Sequence, residues 1–207
     1  QDLESFTVYV LEKGSSTQVH VDSESLSLNQ GDMIQVENLP VKLSVRGGIV
    51  KFIVAGVNSK HFDGFRVTLT RFKDLYKVKK HWGHELWING QHTGYCLKQI
   101  SIFRGTKTSL QYHQKKQETN ILFEGEARLH FKKNKKVSND DVHPMDIGTT
   151  DLKPVTAIDV IPPTLHRLEA MSDILLYEVS TPHLDDVVRV QDDRNRPDGR
   201  IQHEHTL

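Results

Sequence analysis

The strongest constraint on this chain is a period of two. The stretches FTVYVLE, TQVHVDS, GDMIQVE, VKLSVRG and IVKFIVAG alternate or run apolar with β-branched side chains, and Gly, Asn, Asp or Pro breaks each from the next. Every second residue of a strand shares one face, so such segments bury an apolar side only by pairing into sheets. The pattern resumes from Trp82 as HELWING, YCLKQISIFRG, TSLQYH, ETNILFEGEARLHF, VTAIDVIPP and DILLYEVS. Only RFKDLYKVKK offers a modest helix candidate. The expectation is an all-β chain, a barrel or sandwich of short strands with helix as a minor component.

Between Val57 and Lys80, NSKHFDGF supplies turn residues and KDLYKVKKH is charged and poorly periodic. This divides the chain into an N-terminal β unit at 1–75, a fuller β unit at 76–196 and a polar tail at 197–207. The low hydrophobicity of residues 132–154 suits a surface connection, with KKNKK as a solvated hairpin. The tail, QDDRNRPDGRIQHEHTL, reads as mobile, its His203-x-His205 pair resembling a metal site only on paper.

Composition narrows the partners. With 27 basic and 27 acidic residues, the chain has no global field to draw it onto nucleic acid or an anionic membrane. Its single cysteine, Cys96, excludes an internal disulfide and a Cys-rich zinc site. No basic segment followed by an apolar one opens the sequence, and no apolar run could span a bilayer, so a cytoplasmic protein is expected. The chain opens on Gln1 rather than Met, which leaves a removed N-terminal segment open.

The chemistry concentrates in Gly105-TKTSL-Gln111-Tyr112-His113-QKKQ-Glu118-TNILFE-Gly125. Gln111 and His113 stand two apart on a strand and share a face, and a turn through QKKQ returns Glu118 beside them. Amide oxygen, imidazole nitrogen and carboxylate oxygen suit zinc, manganese, iron or nickel and leave coordination positions open to a substrate or water. An isolated Q-x-H is more often a polar surface hairpin, so the spacing around it has to carry the weight.

That spacing resembles cupin motif 1, in which a Gly is followed after five residues by H-x-H, then by Glu and a second Gly, with Gln111 in place of the first His. Ile161-Pro162-Pro163-Thr164-Leu165-His166 resembles a degenerate motif 2, whose strand donates one further His. The resemblance implies a cupin, an RmlC-like jelly-roll barrel, with the N-terminal unit as a degenerate second half or a cap. Within the cupins, Ser109-Leu110-Gln111-Tyr112-His113 looks like the S-x-Q-x-H segment of phosphomannose isomerases, both type I and the bifunctional guanylyltransferase enzymes. Lys80-His81-Trp82-Gly83-His84-Glu85-Leu86-Trp87 is similar to the bifunctional enzymes' K-P-W-G-x-E-x-W. Residues 178–189, EVSTPHLDDVVR, resemble their E-V-Q-T-G and E-D-D-I-V-R segments.

The resemblance implies one divalent metal, zinc before manganese, iron, nickel or cobalt, held by Gln111, His113, Glu118 and His166. It implies aldose–ketose isomerisation of a small-molecule sugar phosphate, with Arg189 and Lys98 as catalytic cations and Tyr112, Glu85 and Trp82 lining the substrate. Arg189 could instead pair with Asp186 or Asp192, Lys98 could be an edge residue, and Trp82 and Trp87 more often pack than stack on sugar. His84, Glu85, His183 and Tyr177 are the candidate bases. Two other functions fit the fold: an iron-dependent cupin dioxygenase and a non-catalytic module binding sugar or nucleotide-sugar. Exposed sheet edges make a homodimer the default expectation.

Overall fold

The computed structural model describes residues 3–21, 26–58, 64–90, 92–132 and 147–205. Most of the KKNKK segment lies outside them. Among the described residues the regular structure is nearly all strand, and no helix is long and apolar enough to cross a membrane. It forms two compact units, one of residues 1–76 with 87–97 and one of 77–86 with 98–207.

The first unit holds β1 (Ser5–Lys13), β2 (Gln18–Val21), β3 (Leu26–Leu28), β4 (Met33–Glu37), β5 (Leu43–Arg46), β6 (Val50–Val57) and β7 (Arg66–Thr70). They pair antiparallel as β6-β1-β4-β7 and β3-β2-β5. Alternation along β1 and β4 gives their sheet two unlike faces. Val8, Val10, Ile34 and Val36 join Val19, Val21 and Leu28 in an apolar core. Ser5, Thr7, Gln35 and Glu37 form a second, polar layer that is also buried. The segment 87–97 supplies its partners: Tyr95 Oη lies 2.7 Å from Thr7 Oγ1, and His92 Nε2 lies 3.1 Å from Glu37 Oε1. These bonds group 87–97 with the N-terminal strands rather than with the sequence around it, so the boundary is not a single cut near residue 75.

The second unit is built on β8 (Tyr76–Lys80), β9 (Gly83–Trp87), β10 (Cys96–Ile102), β11 (Leu110–Tyr112), β12 (Glu118–Glu124), β13 (Ala127–Lys132), β14 (Gly148–Leu152), β15 (Thr156–Val160), β16 (Leu165–Ala170), β17 (Ile174–Ser180) and β18 (Val188–Gln191). Two sheets, β15-β12-β17-β10-β9-β8 and β14-β13-β16-β11-β18, share one core. Ile100, Ile102, Leu122, Ile174 and Leu176 enter it from the first sheet, and Ala127, Leu129, Leu152 and Ala170 from the second. Gly125, the last glycine of the motif, turns β12 into β13 at φ 82°, where a Cβ would sit 2.2 Å from the Asp173 carbonyl oxygen. Only glycine fits there without moving the β17 approach.

Two expectations are corrected. RFKDLYKVKK is a single 3-10 turn, Phe72–Asp74, followed by β8, because Tyr76, Val78 and Lys80 alternate into a sheet that outweighs weak helical periodicity. The tail is not mobile but docked: Ile201 is buried, Gln202–Glu204 forms a 3-10 turn, and Glu204 bonds Lys80 and Arg196.

Candidate metal centre

β11 carries Gln111 and ends just before His113, β12 begins at Glu118, and β16 carries His166 opposite Gln111 in register. The turn 114–117 is pinned by Asp186, whose carboxylate accepts the backbone N–H of Gln114 (3.0 Å), Lys115 (2.5 Å) and Lys116 (2.8 Å). Burial works to raise the Asp186 carboxyl, and those three donors outweigh it and hold it below the usual range. The pinned turn swings Glu118 back towards His113.

His113, Glu118 and His166 converge. Their donor atoms lie within 4.8 Å of one another, with His166 Nε2 3.2 Å from Glu118 Oε1 and His113 Nε2 3.5 Å from Glu118 Oε2. Each imidazole is fixed from behind: His113 Nδ1 meets the Asp186 carbonyl oxygen, and His166 Nδ1 lies 3.1 Å from the Thr164 carbonyl oxygen. A carbonyl only accepts, so both Nδ1 atoms donate there, and each ring turns its Nε2 towards Glu118, where a ring freed of its Nε2 proton could offer a lone pair to a cation. His113 Nε2 is buried without a hydrogen-bond partner of its own. Two imidazole nitrogens turned on one carboxylate, that of His113 without a hydrogen-bond partner, make a donor set that suits a divalent cation. The residues therefore fit a metal ion.

Gln111 stands next to this triad through its register with His166, and its Oε1 accepts the Ser109 hydroxyl at 2.6 Å. An amide oxygen has a second lone pair, so that bond leaves it able to ligate.

Lys116 is the residue that sequence reasoning missed. It is only 5% exposed, and its ammonium donates to Glu118 Oε2 and, at 2.8 Å, to Glu178 Oε1. Burial alone would depress this ammonium, and the charges of Glu118 and Glu178 override it and hold it above the usual lysine range. Glu118 is the mirror case. Burial works to raise its carboxyl, while Lys116, His113 and His166 together hold it well below normal. Asn120 Nδ2 also donates to Glu118 Oε1, at 3.0 Å.

From Glu178 an alternating chain of charges runs outward. Lys98 Nζ lies 3.9 Å from Glu178 and 3.5 Å from Glu85, and Lys80 Nζ lies 3.6 Å from Glu85 and 2.8 Å from Glu204. Lys98 and Glu85 are thus brought into one buried network with the triad rather than left on an edge.

The other expected residues fare differently. Trp82 belongs to the apolar core at 5% exposure, and its carbonyl accepts from Thr106 and Phe103. Alternation sets Tyr112 on the opposite face of β11 from Gln111 and His113, opposite Val188. Arg189 is the register partner of Gln111 on β18, but its guanidinium is held by the Pro197 and Gly199 carbonyls and its buried Nε has no partner. Burial, then the nearby Arg196 charge, lowers it from the usual arginine range. Among the candidate bases, Tyr177 is buried with its hydroxyl accepting from Gln99 at 3.1 Å, and His183 lies 3.1 Å from the Thr181 hydroxyl. Burial, then Lys77, lowers the pKa of His84. Neither His203 nor His205 joins a metal-binding cluster among the described residues.

No protein-family model matches the sequence, and no curated protein matches it. Solved structures do. The oxalate decarboxylase of Lactobacillus farciminis, solved as a formate complex, superposes with a TM-score of 0.61 at 11% identity over 90% of this chain and 73% of its own. A mutant of the Bacillus subtilis oxalate decarboxylase gives 0.61 and 11% over 90% of this chain and 65% of its own, and that enzyme has Mn(II) centres. The capsular polysaccharide assembling protein CapF of Staphylococcus aureus gives 0.47 and 13% over 57% of this chain; the chain spans 32% of CapF's length. The fold is that of the cupins.

Proposed function

We propose that this chain is a metal-dependent sugar-phosphate isomerase of the mannose-6-phosphate isomerase type, its metal, zinc first, held by Gln111, His113, Glu118 and His166. The observation that supports the reading is the register of Gln111 against His166, a member of the buried His113–Glu118–His166 cluster, since register partners share one face of the sheet. The bound ion would polarise a sugar carbonyl and its neighbouring hydroxyl.

The chain's own residues do the rest. Asp186 and Thr164 aim the two imidazoles through backbone carbonyls, and Asn120 holds Glu118 Oε1. Lys98, between Glu85 and Glu178, keeps a cation inside the unit where an anionic substrate would gain from it. Arg189, the register partner of Gln111, adds a second positive charge to the unit while its guanidinium is held by the Pro197 and Gly199 carbonyls.

The test is elemental analysis of the purified protein combined with turnover of mannose 6-phosphate to fructose 6-phosphate. Zinc or manganese with turnover, lost in Gln111→Ala and His166→Ala, supports the reading. Bound iron with oxygen consumption would replace it with the dioxygenase. Sugar binding untouched by either substitution would replace it with a binding module.

A further inference from the structure

We infer that Lys116 is a tethered counter-cation that competes with the metal for Glu118 and so sets how tightly the site holds its ion. This positioning role rests on the metal-binding reading of the triad. Glu118 is the only carboxylate among the three convergent donors, and its two oxygens are already engaged: Oε1 by Asn120 and His166, Oε2 by Lys116. Lys116 also bonds Glu178, so one ammonium serves two carboxylates inside a region where neither faces water.

Two consequences follow from charge alone. Without an ion, the ammonium supplies the positive charge that lets Glu118 stay buried as a carboxylate, and the site exists preformed. With an ion, a divalent cation must share that carboxylate with a neighbouring positive charge a few ångströms away in a poorly screened interior. Lys116 therefore stabilises the metal-free protein and weakens metal binding. A lysine that merely supported the fold would do the opposite on the second count, since loosening the turn 114–117 would scatter the ligands and lower affinity.

The experiment titrates Zn²⁺ and Mn²⁺ into metal-free wild-type protein, Lys116→Met, Lys116→Arg and His166→Ala by calorimetry, and records the melting temperature of each metal-free form. K116M keeps the stem volume and removes the charge. It is expected to bind either ion at least about tenfold more tightly than wild type, while melting lower when metal-free. K116R keeps the charge and should stay near wild type in affinity. If K116M folds only with metal present, its affinity is read by competition against a chelator of known strength. K116M binding equal to or weaker than wild type overturns the inference while leaving the metal site intact. Wild type binding no more tightly than H166A overturns the metal reading itself and the inference with it.

Discussion

Asp192→Asn is the sharpest test of the docked tail. Asp192 is 3% exposed at its side chain, and its Oδ1 accepts the backbone N–H of Arg194 and Arg196 at 2.9 and 3.0 Å. Its Oδ2 takes Arg196 at 2.7 Å, and Arg196 passes on to Glu204, which passes on to Lys80. The amide would turn an N–H towards guanidinium donors and leave Arg196 with half its counter-charge. Removing one partner of a buried pair costs about 3–5 kcal/mol and of an exposed pair about 0–1. This pair is well covered but lies on the tail, so the cost is about 2–3 kcal/mol, a melting temperature lower by about 5–10 °C for a chain of this size.

The pH dependence has a definite sign. Burial works to raise the Asp192 carboxyl, but Arg196 and the two backbone donors bring it from 3.8 to about 2. A carboxyl depressed on folding stabilises above its unfolded value and loses that contribution as pH falls towards the folded one. The full difference corresponds to about 2.4 kcal/mol, which solvent screening at this position reduces to about 1–2. Urea melts of wild type and D192N should therefore differ by the same amount at pH 7 and pH 5.5, with the gap smaller by about 0.5–1 kcal/mol at about pH 3. No gap at pH 7, or a gap unchanged at pH 3, refutes the reasoning.

Three further outcomes follow from contacts already described. Trp82→Ala should cost about 3–5 kcal/mol in urea melts, as removal of a buried indole does, and metal affinity measured on the folded fraction should survive it. His92→Ala leaves the buried Glu37 carboxylate with Gln35 Nε2 on Oε1 and no hydrogen-bond partner on Oε2, and should cost about 2–4 kcal/mol; Glu37→Gln placed in the same background should recover part of that loss. Metal at a hundred times its dissociation constant should stabilise wild type by about 2.7 kcal/mol, an increment that chelator removes and that His166→Ala never shows.

The sequence made the strands legible because period two survives every local accident, and it made Gln111, His113 and Glu118 legible because strand, turn and strand fix their faces. Lys116 was hidden. Nothing in QKKQ says which lysine turns inward; that choice follows from Asp186, seventy residues away along the chain, which captures the N–H groups of 114–116. The tail was misread for a related reason. Its letters are polar, and polarity predicts solvation only when opposite charges are not waiting elsewhere; Lys80 waits for Glu204 from 124 residues earlier in the chain.

The same logic separates the two kinds of buried polarity in this chain. In the first unit, Ser5, Thr7, Gln35, Tyr95 and His92 consume nearly all of one another's hydrogen-bonding capacity, and what remains is a single carboxylate oxygen. A network closed in this way fixes how 87–97 docks and has little left to offer a ligand. In the second unit the closure is incomplete: backbone carbonyls use up the Nδ1 side of two imidazoles and thereby turn both Nε2 atoms towards Glu118. Chemistry is to be sought where a buried network satisfies its outer atoms in order to leave inner ones unsatisfied, and in this chain that condition holds at His113.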